Sequence, residues 1–92
     1  MISVGQIVFS KNGRDKGKAF VIINISSEYV FLADGKLRVV DRPKKKKLKH
    51  IQLTKFIDQD LKNKLLNAEY TLDSDIRKVL LLFGVNRCKE EV

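Results

Sequence analysis

Apolar and polar residues alternate with a period of two along the first half of the chain. Gln6–Ser10 places Ile7 and Phe9 on one face, a pattern that predicts a strand with one buried face. Ala19–Ile25 is almost continuously apolar and β-branched, which favours a central strand. Tyr29–Ala33 follows after a short turn. The pattern therefore predicts three strands before residue 34.

Two further strands are predicted downstream. The dipeptide Asp34-Gly35 is typical of a type I′ hairpin turn, and it leads into the alternating segment Lys36–Asp41. Pro43 has no amide proton to donate and should end that strand. The sequence then predicts a basic connection over Lys44–Lys49 and a fifth strand over His50–Thr54.

Five short strands within about 54 residues, joined by tight turns, indicate a small and strongly bent barrel. The third strand leaves open whether Val30 or Phe31 points inward. The predicted core consists of Ile7, Phe9, Val21, Ile23, Val30 or Phe31, Leu32, Leu37, Val39, Ile51 and Leu53.

The remaining residues change to a helical period. Ile57, Leu61 and Leu65 recur every four residues, with Asp58 as the expected N-cap and Asn67 near the helix end. The period predicts that residues 1–56 form the barrel and residues 57–92 a helical extension.

A second helix is predicted over Asp73–Phe83, where Ile76, Val79, Leu80 and Phe83 share one face and Gly84 is the expected C-cap. Short helices are marginal alone, so both should pack on the barrel, on each other or on a partner.

The segment between the first two strands is basic and sharply turned. It contains Gly13 and Gly17, which permit positive φ angles, and four cations: Lys11, Arg14, Lys16 and Lys18. Glycines let the backbone approach a phosphate closely, while the cations neutralise its charge. Arg14 can also donate two hydrogen bonds to one phosphate. A solvated hairpin tip with no ligand is the alternative interpretation.

This segment resembles a KOW motif, the hairpin-and-loop element of several ribosomal proteins and transcription-elongation factors. The matching residues are Gly5, Ile7, Val8, Gly13, Arg14, Asp15, Lys16, Gly17, Lys18 and Val21, with Gly17 at the hallmark glycine. Many KOW sequences carry a second glycine where this chain has Phe20. The resemblance implies an SH3-like barrel, in a mainly β fold with one or two short C-terminal helices.

A second basic segment strengthens the resemblance. The run Pro43–His50, together with Asp34-Gly35, makes the chain similar along most of its length to the ribosomal protein L14e/L6e/L27e type and its small bacterial RNA-binding relatives. The candidate RNA-binding residues in this region are Arg42, Lys44, Lys45, Lys46, Lys47, Lys49 and His50, in addition to Lys11, Gly13, Arg14, Lys16, Gly17 and Lys18 in the first segment. A solvated loop is the alternative for the lysine run.

The charge distribution supports a polyanionic partner. The net charge is +8, and it is uneven: residues 1–57 hold 13 Lys and Arg against 4 Asp and Glu, whereas residues 58–92 hold 6 against 7. Basic modules bind nucleic acid by neutralising phosphates and releasing counterions. Only Tyr29 and Tyr70 are aromatic with polar tips, so shape and phosphate recognition of structured RNA is favoured over base stacking.

Other classes of function are disfavoured. The single His50 and the single Cys88 lie far apart in sequence, and neither zinc-ligand spacing nor a Walker-type loop is present. We therefore expect no enzyme, no cofactor and no metal. A cytoplasmic location is expected because the apolar run Val79–Phe83 is too short for a membrane span, the N-terminus is unlike a signal peptide, and Cys88 cannot form an internal disulfide.

The sequence supports two hypotheses about the function of the protein. The first is a translation-related RNA-binding protein whose partner is RNA, in particular ribosomal RNA or the ribosome. The second is an SH3-like adaptor that binds a protein through the barrel or the C-terminal helix, since fold alone does not decide function.

Overall fold

The computed structural model describes residues 2–90, with side chains described for residues 2–84. Met1 and the side chain of Cys88 lie outside those ranges. The fold is mainly β, with one five-stranded antiparallel sheet and two helices. Its elements are β1 (Gln6–Ser10), β2 (Ala19–Ser26), β3 (Tyr29–Ala33), β4 (Lys44–Lys47), β5 (Ile51–Ile57), α1 (Gln59–Leu66) and α2 (Asp73–Glu90).

The sheet is strongly curved, because its two edge strands follow each other in the chain and are joined by only a short turn. The strand order is β4-β3-β2-β1-β5, and only the 3-10 turn Leu48–His50 joins β4 to β5. Flat strands spaced about 4.8 Å apart would put these edges about 19 Å apart. Three residues of 3-10 turn advance only about 6 Å. The edges therefore approach each other at this turn, although no pairing joins β4 to β5 among the described residues.

Both faces of the central strands are buried, so the prediction of one buried face for β1 is wrong. Ile7 and Val21 belong to a cluster between the sheet and the helices. Val8, which follows Ile7 and points the other way, is 0% exposed. It belongs to a second cluster enclosed by the curved sheet, with Phe20, Ile22, Val30, Leu32 and Ile51. Helices cover one face, and the curvature of the sheet, together with Ile2 and Val4 of the N-terminal segment, covers the other.

In β3, the residue that points into the curved sheet is Val30 rather than Phe31. Val30 is buried there together with Leu32. Phe31 is only half-buried. Phe20 is buried in the same cluster. Its ring therefore fills the interior that the curvature creates.

The predicted strand Lys36–Asp41 is wrong, because this segment is irregular. Asp34 accepts the backbone N–H groups of Lys36 and Arg38 at 2.8 and 2.9 Å, which curls the chain locally. Gly35 has φ +77°, but Asp34 does not have the positive φ that a type I′ turn requires. Leu37, predicted to lie in the core, is 81% exposed.

The strand that pairs with β3 is instead β4, so the prediction of a basic connection over Lys44–Lys49 is also wrong. Tyr29 pairs with Lys47 and Leu32 with Lys44, in antiparallel register. The next predicted strand is confirmed with shifted bounds, since β5 begins at Ile51 and extends to Ile57. Ile57 thus ends a strand, one residue beyond the predicted barrel boundary.

Both helices exist as predicted, with one corrected end. Asp58 is the N-cap of α1 and accepts the N–H of Leu61 at 2.9 Å. Gly84 does not end the second helix, which continues to Glu90. Leu61 of α1 and Ile76 of α2 belong to the same cluster as Ile7, so both helices pack on the sheet. Neither helix is long and apolar enough to cross a membrane, within the described residues.

The irregular segment 34–43 is held against the start of α2. The guanidinium of Arg77 donates to the carbonyl of Gly35 at 2.5 Å, and the N–H of Val40 donates to the Asp73 carboxylate at 2.7 Å. Val40 also packs on the cluster between the sheet and the helices. The chain is therefore fixed at two points before it enters β4.

Candidate nucleic-acid interface

The basic segment between β1 and β2, residues 11–18, forms an ordered loop that we call the glycine loop. Gly13–Asp15 is a 3-10 turn, and Gly13 and Gly17 have φ angles of +76° and +84°. The N–H of Gly17 donates to the carbonyl of Ser10 at 2.8 Å, which closes the loop at its base. Both predicted glycines therefore lie where left-handed backbone is needed.

Strand β4 sorts the lysine run onto two sides. Residues directly opposite in an antiparallel pair share a face. Lys44 and Lys46 pair with Leu32 and Val30, so they lie on the inner face of the curved sheet. Lys45 and Lys47 lie on the outer face. A run that looks uniform in sequence thus contains two pairs of lysines with different surroundings.

The inner lysines connect β4 to the glycine loop. The Lys46 ammonium donates to the Ser10 hydroxyl and, at 2.9 Å, to the carbonyl of Asn12. Lys44 forms an ion pair with Asp15, the acid of the loop. The loop is fixed on its other side as well, since the N–H of Lys11 donates to the carbonyl of His50 at 2.9 Å. The two basic segments are therefore brought together.

The inner contacts perturb two ionisable groups. The hydrogen bond from Lys44 lowers the pKa of Asp15 below its usual value, against an opposing effect of burial, and the charges of Lys44, Lys18 and Lys46 lower it further. Burial lowers the pKa of Lys46, and repulsion from the Lys44 charge adds to this effect. Asp15 is therefore ionised at neutral pH and neutralises part of the inner positive charge.

The outer lysines remain accessible. The Lys45 ammonium lies 4.3 Å from the centre of the Tyr29 ring, a cation–π contact between diagonal neighbours on β3 and β4. Lys47 is exposed and makes no salt bridge among the described residues. Lys45 and Lys47 can thus reach an anion without first breaking a salt bridge.

Most of the other predicted residues are exposed around the glycine loop. Lys18 is 3.9 Å from Asp15, but its side chain is 54% exposed, so this pair is weak. His50 is half-buried beside the loop. Arg42 lies in the turn before β4, and no contact among the described residues ties it to the loop. The exposed cations of the predicted set are Lys11, Arg14, Lys16, Lys18, Arg42, Lys45, Lys47 and Lys49.

Sequence reasoning missed three residues of this site. Ser10 and Asn12 accept hydrogen bonds from Lys46, and Tyr29 supports Lys45. Their roles depend on the register between β3 and β4, which no short motif encodes. A strand assignment for the lysine run would have shown only that Lys46 lies on the opposite face from Lys45, because successive side chains along a strand alternate.

The described residues contain no group of three or more His, Cys, Asp or Glu side chains that could hold a metal ion. No protein-family model matches the sequence, and no curated protein is similar enough to match it.

Proposed function

We propose that this protein is an RNA-binding protein of the KOW type, similar to ribosomal protein L14e, that binds structured RNA in the cytoplasm. Ribosomal RNA, as part of the ribosome, is the proposed partner. The observation that carries the proposal is the linkage of two basic segments, since Lys44 and Lys46 attach β4 to the glycine loop.

The linkage supports phosphate binding because it reduces the freedom of the loop before any ligand arrives. A preorganised loop loses less conformational entropy on binding than a flexible one. Exposed cations on both segments then neutralise phosphates, which supplies affinity without reading sequence. The double-stranded parts of RNA present phosphates and 2′-hydroxyls rather than readable base edges, which suits this surface.

We also propose that the curved sheet is an SH3-like barrel. The support is the short 3-10 turn between the two edge strands and the apolar cluster enclosed by the curvature. The inner lysines bridge the remaining distance from β4 to the end of β1. Side chains thus link the edge strand β4 to β1, the strand that pairs with the other edge strand, β5.

The proposal is tested by measuring affinity for a ribosomal RNA fragment over a series of salt concentrations. In a plot of the logarithm of the binding constant against the logarithm of the salt concentration, the slope should be steeply negative. Each phosphate contact should contribute about −0.7 to this slope, the value for single-stranded nucleic acid. Replacing Lys45 and Lys47 by methionine should lower the slope by about 1.4 if each contacts one phosphate. The matched control replaces Lys36 and Lys78, two exposed lysines outside the proposed surface, and should leave the slope nearly unchanged.

The inner lysines should behave differently. Replacing Lys44 and Lys46 by methionine removes the side-chain contacts between β4 and the glycine loop and loosens the loop, so affinity should fall while the slope changes less than in the outer variant. Amide hydrogen exchange of residues 11–18 should become faster in the inner variant. Binding that is absent or insensitive to salt would refute the proposed function.

A protein-binding adaptor remains a second candidate because two leucines of α2 are exposed. Leu81 and Leu82 are 70% and 46% exposed, whereas Val79 on the same helix is buried against the sheet. The appropriate test is therefore Leu81→Gln with Leu82→Gln, which leaves the packed face intact. A partner that survives nuclease and high salt, and is lost in this variant, would favour the adaptor.

A further inference from the structure

A cleft lies where the turn between β2 and β3 meets the 3-10 turn between β4 and β5, and we call it the corner cleft. It encloses about 490 Å³ and is lined by Ser27, Glu28, Lys47, Leu48 and Lys49. The N–H of Leu48 donates to the carbonyl of Glu28 at 2.8 Å, so the two turns that line the cleft are joined by a backbone hydrogen bond. Its volume lies within the range of sites for small ligands.

The corner cleft combines three kinds of chemical group. Leu48 is 36% exposed, which is accessible apolar surface for a planar ring. Lys47 and Lys49 are exposed cations on the same lining. Glu28 is an exposed acid beside them, yet its carboxylate forms no salt bridge or hydrogen bond with any described residue. Two lysines and an unpaired carboxylate thus face one small apolar surface.

We infer that the corner cleft binds one unpaired nucleotide of the RNA whose base carries an exocyclic amino group. The phosphate would lie at Lys47 and Lys49, because Glu28 repels it. The base would rest on Leu48, with its amino group donating to the Glu28 carboxylate. An ionised carboxylate only accepts hydrogen bonds, so it favours the amino group of cytosine, adenine or guanine over uracil, whose single N3–H donor lies between two carbonyl oxygens that repel the carboxylate.

The inference rests on the proposed function and adds base selection to a surface that otherwise reads only phosphates. The corner cleft adjoins that surface, since Lys47 belongs to both. In addition, the carbonyl of His50, which follows Lys49, accepts a hydrogen bond from the N–H of Lys11 in the glycine loop. Unpaired bases in loops and bulges of structured RNA expose the edges that a carboxylate can read.

The test compares two pyrimidine probes of equal size and charge, the hexanucleotides of cytidine and of uridine, by fluorescence anisotropy. The wild-type protein should bind the cytidine probe about fivefold more tightly, the low end for one base-edge contact. Glu28→Gln should bring the two affinities close together, because an amide also donates to uracil O4. Glu69→Gln removes the same charge at an exposed position outside the cleft, and should keep the preference.

A second measurement needs no variant. Titration of the wild-type protein with cytidine monophosphate should shift the amide resonances of Ser27 and Leu48, and uridine monophosphate should shift them less. Equal affinity for both hexanucleotides, a preference that Glu28→Gln leaves intact, or equal shifts with both nucleotides would overturn the inference. The proposed function would survive any of these results if binding of structured RNA still fell steeply with salt, and would fail separately if it did not.

Discussion

Replacing Gly35 by alanine tests how tightly the segment before β4 is held against α2. Gly35 is buried with φ +77°, and an added Cβ would lie 2.5 Å from the carbonyl oxygen of Asp73 and 2.8 Å from Cγ of Arg77. The first of these atoms belongs to the helix backbone, so it cannot move as a flexible side chain would. The substitution therefore imposes both backbone strain and a steric clash.

The two costs can be separated. A left-handed backbone costs a residue with a Cβ about 1–2 kcal/mol. Overpacking at a rigid site costs typically about 1–3 kcal/mol more. Gly35→Ala should therefore lower the free energy of unfolding by about 2–5 kcal/mol. In a chain of this size, each kcal/mol corresponds to roughly 4–8 °C in Tm.

The matched control is Gly13→Ala, in the glycine loop. Gly13 has nearly the same φ, +76°, but an added Cβ would meet no atom of the described residues within 4 Å. This variant should show the backbone cost alone, about 1–2 kcal/mol. Urea unfolding followed by circular dichroism measures both variants. Equal destabilisation of the two would show that Gly35 does not contact the helix closely, and the reasoning would be refuted.

Two further predictions concern single carboxylates and use the same unfolding measurement. Asp15→Asn should be less stable than the wild type at neutral pH. Because Lys44 lowers the pKa of Asp15 in the folded state, the wild-type advantage should be complete above the ordinary value of 3.8 and should shrink as pH falls through the lower folded-state pKa; an advantage independent of pH would contradict the ion pair. Asp58→Ala removes the N-cap bond to Leu61 and should cost about 1 kcal/mol, whereas Asp58→Asn should cost much less.

Much of the fold could be predicted because its elements have strong local signals. Alternation and β-branched residues mark β1, β2 and β3, and a capping carboxylate marks the start of α1. The burial of both sheet faces was missed, since alternation in β1 suggested a polar face at Val8. Val8 is instead an apolar residue of the cluster that the curved sheet encloses.

The fourth strand could not be predicted from local propensity. Leu37 and Val39 alternate like a strand, but Asp34 curls the chain and Gly35 docks on the helix. Lysine has low β propensity, so β4 is a strand because of its partners: it pairs with β3, and Lys44 and Lys46 bond the glycine loop. Tertiary contacts override propensity here.

The candidate site was predictable in composition but not in arrangement. Glycine placement and charge identified both basic segments, and the structure brings the glycine loop and β4 together. The division between inner and outer lysines required the register of β4 against β3. The corner cleft was missed because Glu28 and Leu48 come from turns that are distant in sequence.

The position of β1 in the middle of the sheet has a consequence for protein synthesis. β1 pairs with β2 on one side, but its other partner is β5, and Gln6 pairs with Ile57. A nascent chain on the ribosome therefore carries an unpaired edge on β1 until residue 57 has left the exit tunnel. Completion of the sheet must wait for this distant segment, and such late long-range pairing slows folding and prolongs exposure to aggregation.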